Sequence, residues 1–188
     1  MKIALLTLLT LLTALPVQAQ TPMVKWKVDP AKSEIVFAAK NAGHEFTGKF
    51  TSWDADITFD PKNLAASSVK VRINTGSALT GNNTYDGTLP SNIWLDAKTF
   101  PQAVFSASKF KEISPDNYEA SGSLKLKGVA QPVVLPFTVK FVGTQASMTS
   151  EITLNRLNFG VGTASDPTGD WVSKDVKISI KVEAKRTE

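Results

Sequence analysis

The 188-residue sequence contains no cysteine and one histidine, His44. The first absence excludes disulfides, thiolate zinc sites, thiol nucleophiles and cysteine-ligated iron–sulfur clusters. The second excludes a metal centre built on several imidazoles. Charge of one sign is scarce as well. The 21 Lys+Arg residues face 17 Asp+Glu residues, a net +4, with no basic run, so no nucleic-acid footprint is present. Asp54, Asp56 and Asp60 lie at even spacing on the wet side of one strand pattern; they lack the glycine and distal glutamate of a calcium loop. No Gly-x-Ser-x-Gly elbow occurs, and Gly122-Ser123 lies inside an alternating run rather than a strained turn, so a serine-hydrolase triad has no support. Amphipathic helices of three turns or more, internal repeats, low-complexity tracts and interdomain linkers are also missing.

What is present begins with an address. Lys2 precedes the apolar run 3–15, then Pro16 and Val17-Gln18-Ala19. A charged start, a short apolar core and small residues before the cut read as a secretory signal peptide over residues 1–19. The run is shorter than the ~20 residues of a membrane span. Residues 20–188 are then one domain, destined for an oxidising compartment, with a periplasm the best fit.

Period-two alternation fills that domain. Asp54 to Asp60, Val69 to Asn74, Ala103 to Ser108 and Leu124 to Lys127 show it, as does Val176 to Lys185 most clearly. Ser33 to Lys40, Val133 to Phe141 and Met148 to Leu154 are further segments of this type. Alternation marks strands with one dry and one wet face. Asp29-Pro30, Asp60-Pro61-Lys62-Asn63, Ser114-Pro115-Asp116-Asn117 and Asp166-Pro167-Thr168-Gly169 are turn clusters between them. Only Thr80 to Thr99 departs, predicting one or two short helical turns with Trp94 and Leu95 buried. The domain is long for one immunoglobulin-like sandwich of ~100 residues and short for two. An all-β, extended antiparallel barrel of about eight strands fits, and closure removes exposed edges.

Such a barrel either fills with side chains or holds one small ligand. The inward set is Ile35, Phe37, Ile57, Phe59, Val71, Ile73, Phe105, Leu124, Leu126, Leu135, Phe137, Val139, Phe141, Ile152 and Leu154, with no charged residue. A solid core and a hollow apolar tunnel satisfy this pattern equally.

Several stretches in register resemble the YceI-like family of periplasmic, lipocalin-like proteins. They are Trp26-Lys27-Val28-Asp29-Pro30 with Ser33-Glu34-Ile35-Val36-Phe37, then Gly48-Lys49-Phe50 ahead of Ile57-Thr58-Phe59-Asp60-Pro61. Asp86, Leu89, Trp94, Leu95, Asp96, Phe100 and Pro101 follow. Gly122 to Val129, continued by Pro132-Val133, and Ile152 to Gly162 complete the set. The resemblance runs from about Trp26 to Val182. It implies a long apolar tunnel for a polyisoprenoid or isoprenoid-quinone-like amphiphile, bound for transport, storage or sequestration. Tyr85, the pair Pro90-Ser91 and Gly43-His44-Glu45-Phe46 depart from common family patterns.

On this reading the protein is not an enzyme and uses no metal or other cofactor beyond a bound isoprenoid lipid or quinone. The expected tunnel residues are Phe37, Phe46, Phe50, Ile57, Phe59, Val71, Ile73, Trp94, Phe105, Leu124, Leu126, Phe137 and Phe159. His44, Asn82, Asn83 and Arg156 are head-group candidates at the mouth. Each has a structural reading beside the functional one: an exposed turn histidine for His44, and for Arg156 a fork that bonds carbonyls and pairs with Asp170 or Asp175. Gly160 and Gly162 suit a bulge where the barrel closes. Trp94, Phe100 and Trp171 suggest an aromatic gate, Trp53 lies outside, and Gly76 to Pro90 is the mobile rim. The expected partner is a hydrophobic small molecule, with transient contact to a membrane or membrane cytochrome. A non-catalytic interaction protein docking on such a cytochrome is the alternative. The oligomeric state is open, a dimer included.

Overall fold

The structure, a computed structural model, describes residues 23–187; the expected signal peptide lies outside the described residues. The strands are β1 (Lys25–Val28), β2 (Glu34–Asn41), β3 (His44–Phe50), β4 (Trp53–Thr58), β5 (Ser68–Asn74), β6 (Ala78–Leu79), β7 (Gln102–Ser114), β8 (Asn117–Leu126), β9 (Val129–Val142), β10 (Gln145–Asn155) and β11 (Asp175–Arg186). One short helix, α1 (Asn83–Thr88), lies in the segment where helical turns were expected. Asn82 caps it, its Oδ1 accepting from the N–H groups of Thr84 and Tyr85 at 3.0 and 3.3 Å.

The strands close into an antiparallel ring. Eight of them follow one another in the order β1-β4-β5-β7-β8-β9-β10-β11, and β11 pairs back onto β1. The outer edge of β11 serves two partners. Its last residues pair with β1, from Ala184 to Arg186, while Lys177 to Lys181 pair with β2. Strands β3 and β6 extend the sheet beyond β2.

Local chemistry sets these pairings. Ala42-Gly43 and Lys127-Gly128 join β2–β3 and β8–β9 as two-residue turns with both φ values positive (48° and 83°; 48° and 81°). That turn matches the twist of paired strands. Strand β7 carries a register shift between Ala107 and Lys109. Ala103, Phe105 and Ala107 are buried before it, and Phe110 joins the core after it. A bulge thus moves the inward face from odd to even positions, which strict alternation could not show.

The interior has two packed regions. One lies under Trp26, Phe59, Tyr118, Val139, Ala146, Val182 and Ala184. The other lies beneath the segments 80–101 and 156–174 and contains Phe37, Ala78, Leu95, Phe159 and Val161. Between them the wall is mostly aliphatic.

Candidate functional site

The space between these packed regions is a cavity of about 230 Å³ with an entirely apolar surface. This exceeds the ~150 Å³ that suffices for a dry apolar cavity to take up benzene. Its middle is lined by Val69, Val71, Ile73, Leu124, Leu126, Leu135, Ile152, Leu154 and Ile178. Ala55, Ala103, Ala120, Ala146 and Ala184 also face it. Branched aliphatics and alanines are too short to meet across an eight-stranded ring, so the ring stays open where they face inward. Val71, Ile73, Ile152 and Leu154 remain only half-buried although they point inward, because they face space rather than neighbours. The pattern that left a solid and a hollow interior equally open is realised as hollow. No Asp, Glu, Lys or Arg lines it.

One end is closed by rings. The Phe59 ring centroid lies 5.3 Å from Tyr118, 5.6 Å from both Phe110 and Phe137, and 6.4 Å from Phe141. Trp26 meets Phe141 at 5.3 Å in a tilted contact, and its Nε1–H donates to the Phe59 carbonyl at 2.9 Å. Edge-to-face and offset contacts of this kind stabilise beyond area burial alone.

Beyond the other end, past Leu95, lies a buried polar knot. Arg156, 4% exposed, donates from Nη2 to Asp166 Oδ2 at 2.6 Å and to the Val172 carbonyl at 2.8 Å. Its Nη1 donates to the Val161 carbonyl at 2.7 Å and its Nε to the Ser173 carbonyl at 3.1 Å. The guanidinium lies 5.2 Å above the Trp94 ring. Asp166 also accepts from the backbone N–H groups of Asp170, Trp171 and Val172. These bonds, Val172's foremost, hold its carboxyl below the usual carboxylate range, while burial pulls the guanidinium of Arg156 down against the pull of Asp166. Gly162, at φ +73°, passes so close that a Cβ there would meet Arg156 Nη1 at 2.6 Å and Trp94 at 2.9 Å. Gly160 and Gly162 therefore shape this knot, after β10 has ended, rather than a bulge in the barrel wall.

Of the thirteen expected tunnel residues, Phe50, Ile57, Phe59, Val71, Ile73, Phe105, Leu124, Leu126 and Phe137 line the cavity. Phe37, Phe46, Trp94 and Phe159 do not; all four pack into the cluster beneath the cap. The Phe37 ring covers Gly48 and meets Phe50 at 5.4 Å in a tilted contact. Phe46 meets Tyr85 at 5.1 Å. None of the head-group candidates lines the cavity. Arg156 is spent on the knot, and its carboxylate partner is Asp166 rather than Asp170 or Asp175. His44 is exposed at the β2–β3 turn, and Asn82 and Asn83 are exposed at the start of α1.

The aromatic gate does not form. Trp94 lies under Arg156, Phe100 sits over Gly128, and Trp171 is 69% exposed. The segment 76–90 is hydrogen-bonded within itself and to β2. Asp86 accepts from the backbone N–H and hydroxyl of Thr80 at 2.6 and 2.7 Å, and Asn41 Nδ2 donates to the Tyr85 hydroxyl at 2.9 Å. Trp53 points inward and lines the cavity instead of lying outside. The alternation of β4 already carried that signal, since Trp53, Ala55 and Ile57 share one parity. Phe110 was hidden by the bulge. Leu95, which lines the cavity from the cap, was legible as buried but not as part of the wall.

Comparison with known proteins agrees with this geometry. The YceI-like domain matches residues 26–184. A UPF0312 protein of Pectobacterium atrosepticum is 33% identical over 161 residues, 81% of this chain and 80% of that protein. The crystal structure of Burkholderia cenocepacia BcnA superposes with a TM-score of 0.81 at 30% identity, covering 85% of this chain and 100% of that one. A polyisoprenoid binding domain from Saccharophagus degradans shares the fold, with a TM-score of 0.70 at 13% identity over 87% of this chain and 99% of its own. Match length, identity and barrel geometry lead to one conclusion: the chain belongs to the YceI-like family.

Proposed function

We propose that this protein binds a single hydrophobic chain, a polyisoprenoid or isoprenoid-quinone-like amphiphile, inside the barrel, and carries or sequesters it without chemical change. The observation that carries this reading is the open, wholly apolar cavity in the middle of an otherwise packed barrel. The polyisoprenoid binding of the Saccharophagus degradans domain, which shares the fold, supports the ligand class.

The energetics suffice without a polar anchor. Each buried methylene contributes ~0.8 kcal/mol, so ten contribute about 8 kcal/mol. That corresponds to roughly micromolar affinity before the costs of association. The wall offers no acid, base or nucleophile of the usual catalytic kinds, its only side-chain hydroxyls being those of Thr58 and Ser68. Binding rather than catalysis follows from that surface. The charged start, apolar run and small residues of the N-terminal segment favour export to a periplasm.

Native mass spectrometry of the protein purified from its own cell envelope, followed by solvent extraction, tests the proposal. The expected result is an added mass that extracts as an isoprenoid lipid. A protein that is empty as purified and takes up no prenol in vitro would refute it.

A further inference from the structure

Rings around Phe59 crowd one end of the cavity, and the Arg156–Asp166 knot lies beyond the other. A sideways route through the wall is the alternative for an oily chain, and the ladder of the wall is weakest at two places, beside β1 and between β9 and β10. Strand β1 is fastened to β11 through Trp26↔Arg186 to Val28↔Ala184, and the Asp29 N–H donates to the Glu183 carbonyl at 2.8 Å. Its ladder with β4 is short: Lys25↔Thr58 and Trp26↔Ile57 pair, and the Phe59 N–H donates to the Val24 carbonyl at 3.0 Å. Strands β10 and β11, by contrast, pair from Gln145↔Lys185 to Asn155↔Asp175. Beyond Ile57, β4 pairs with β5 alone.

Outside this β1–β4 seam lies a groove of about 500 Å³. It shares Trp26, Trp53, Ala55, Ile57 and Thr58 with the internal cavity, so a single layer of side chains separates the two. The two tryptophans differ. Trp26 is pinned by its bond to the Phe59 carbonyl. The Trp53 indole N–H makes no hydrogen bond among the described residues, and its ring is half-buried. A side chain packed on one face and unbonded at its polar edge is the one able to swing.

We propose that the β1–β4 seam is the door to the cavity and Trp53 is its leaf, so that ligand enters and leaves sideways between Trp53 and Trp26. This rests on the binding function proposed above. The β9–β10 boundary is the competing position. There the strands part after Thr138↔Thr149, and an outer groove shares Phe137 and Ile180 with the cavity. That boundary is tied by the Ser150 hydroxyl donating to the Pro136 carbonyl at 2.5 Å, whereas the β1–β4 groove shares more of the cavity wall.

The cysteine-free sequence makes the test clean. Lys27→Cys with Asp56→Cys places two thiols on exposed strand faces just past the end of the β1–β4 ladder. A disulfide, or a short bis-maleimide where the gap is too wide for one, staples the seam. The control pair Val134→Cys with Thr153→Cys staples the β9–β10 boundary. The ligand probe is parinarol, a neutral polyene alcohol, followed by energy transfer from tryptophan. Stapling the seam of preloaded protein should slow release at least about tenfold, and cleaving the disulfide should restore it. The control staple should leave release unchanged. Trp53→Ala should speed release, with Trp26 as the remaining donor close to the cavity.

Release that ignores the seam staple, or that responds to the control staple instead, would overturn the door while leaving the binding function standing. Failure of the unmodified protein to bind parinarol would overturn both.

Discussion

At one end of the barrel, rings gather around Phe59 and bond little beyond their own packing; at the other, Arg156 and Asp166 draw carbonyls and N–H groups into a buried knot. Between them, aliphatic walls leave a gap. Large rings meet across the lumen, small branched chains cannot, and where the ring of strands ends a polar network fastens a cap that has no ladder of its own. The difference shows that side-chain size bounds the cavity at one end and that hydrogen bonding fastens the cap beyond the other. The two ends should therefore fail under different insults.

The largest expected effect is at the knot. Arg156→Met leaves Asp166 buried without its cation, and breaking a buried pair in this way costs about 3–5 kcal/mol. Chemical denaturation should show the loss. Hydrogen exchange should show it concentrated in residues 156–174, with β8 to β10 near Phe137 still protected. At the aromatic end, Phe59→Ala removes the ring at the centre of the cluster and should cost roughly 3–5 kcal/mol. Here the protection of β7 and β8 around Phe110 and Tyr118 should fall while the cap stays intact. If both variants loosened the same residues, the two ends would not be independent.

The middle should behave unlike either end. Val71→Phe adds a ring where the wall faces space. In a packed core such overpacking costs ~1–3 kcal/mol; here the denaturation midpoint should move little, while prenol affinity falls sharply. A clear loss of stability would mean that the middle is already filled.

The smallest effect is acid sensitivity of the cap. The carboxyls of Asp166 and Asp86 are held below their ordinary range, chiefly by the backbone N–H of Val172 and by Thr80 respectively. A carboxyl with a lowered folded-state pKa stabilises above its unfolded value and loses that contribution as pH falls through the folded value. Stability from these groups should be complete at neutral pH and erode below roughly pH 4. Asp166→Asn should flatten that slope, read from thermal midpoints across acidic pH.

Much of the fold was legible because one face of nearly every strand is apolar: the ring of eight, the short helical turn after Thr80 and the buried Leu95 all follow from period and punctuation. The bulge after Ala107 was not, since one inserted residue inverts parity and hides Phe110. The site was legible only in part, because alternation reports which side a residue faces and not how far the opposite wall stands. Phe37 reads like Phe59 and Phe105 in sequence, yet it packs into the cluster beneath the segments 80–101 and 156–174. Arg156 was recognisable as a structural fork, but its partner Asp166 sat inside what read as a turn cluster.

The most direct test of the central claim is prenol affinity as a function of chain length, measured by calorimetry on delipidated protein. A dry aliphatic cavity predicts affinity rising by at least about tenfold with each added five-carbon unit, then a plateau once the chain outruns the cavity. Affinity independent of chain length, or absent at every length, would contradict it.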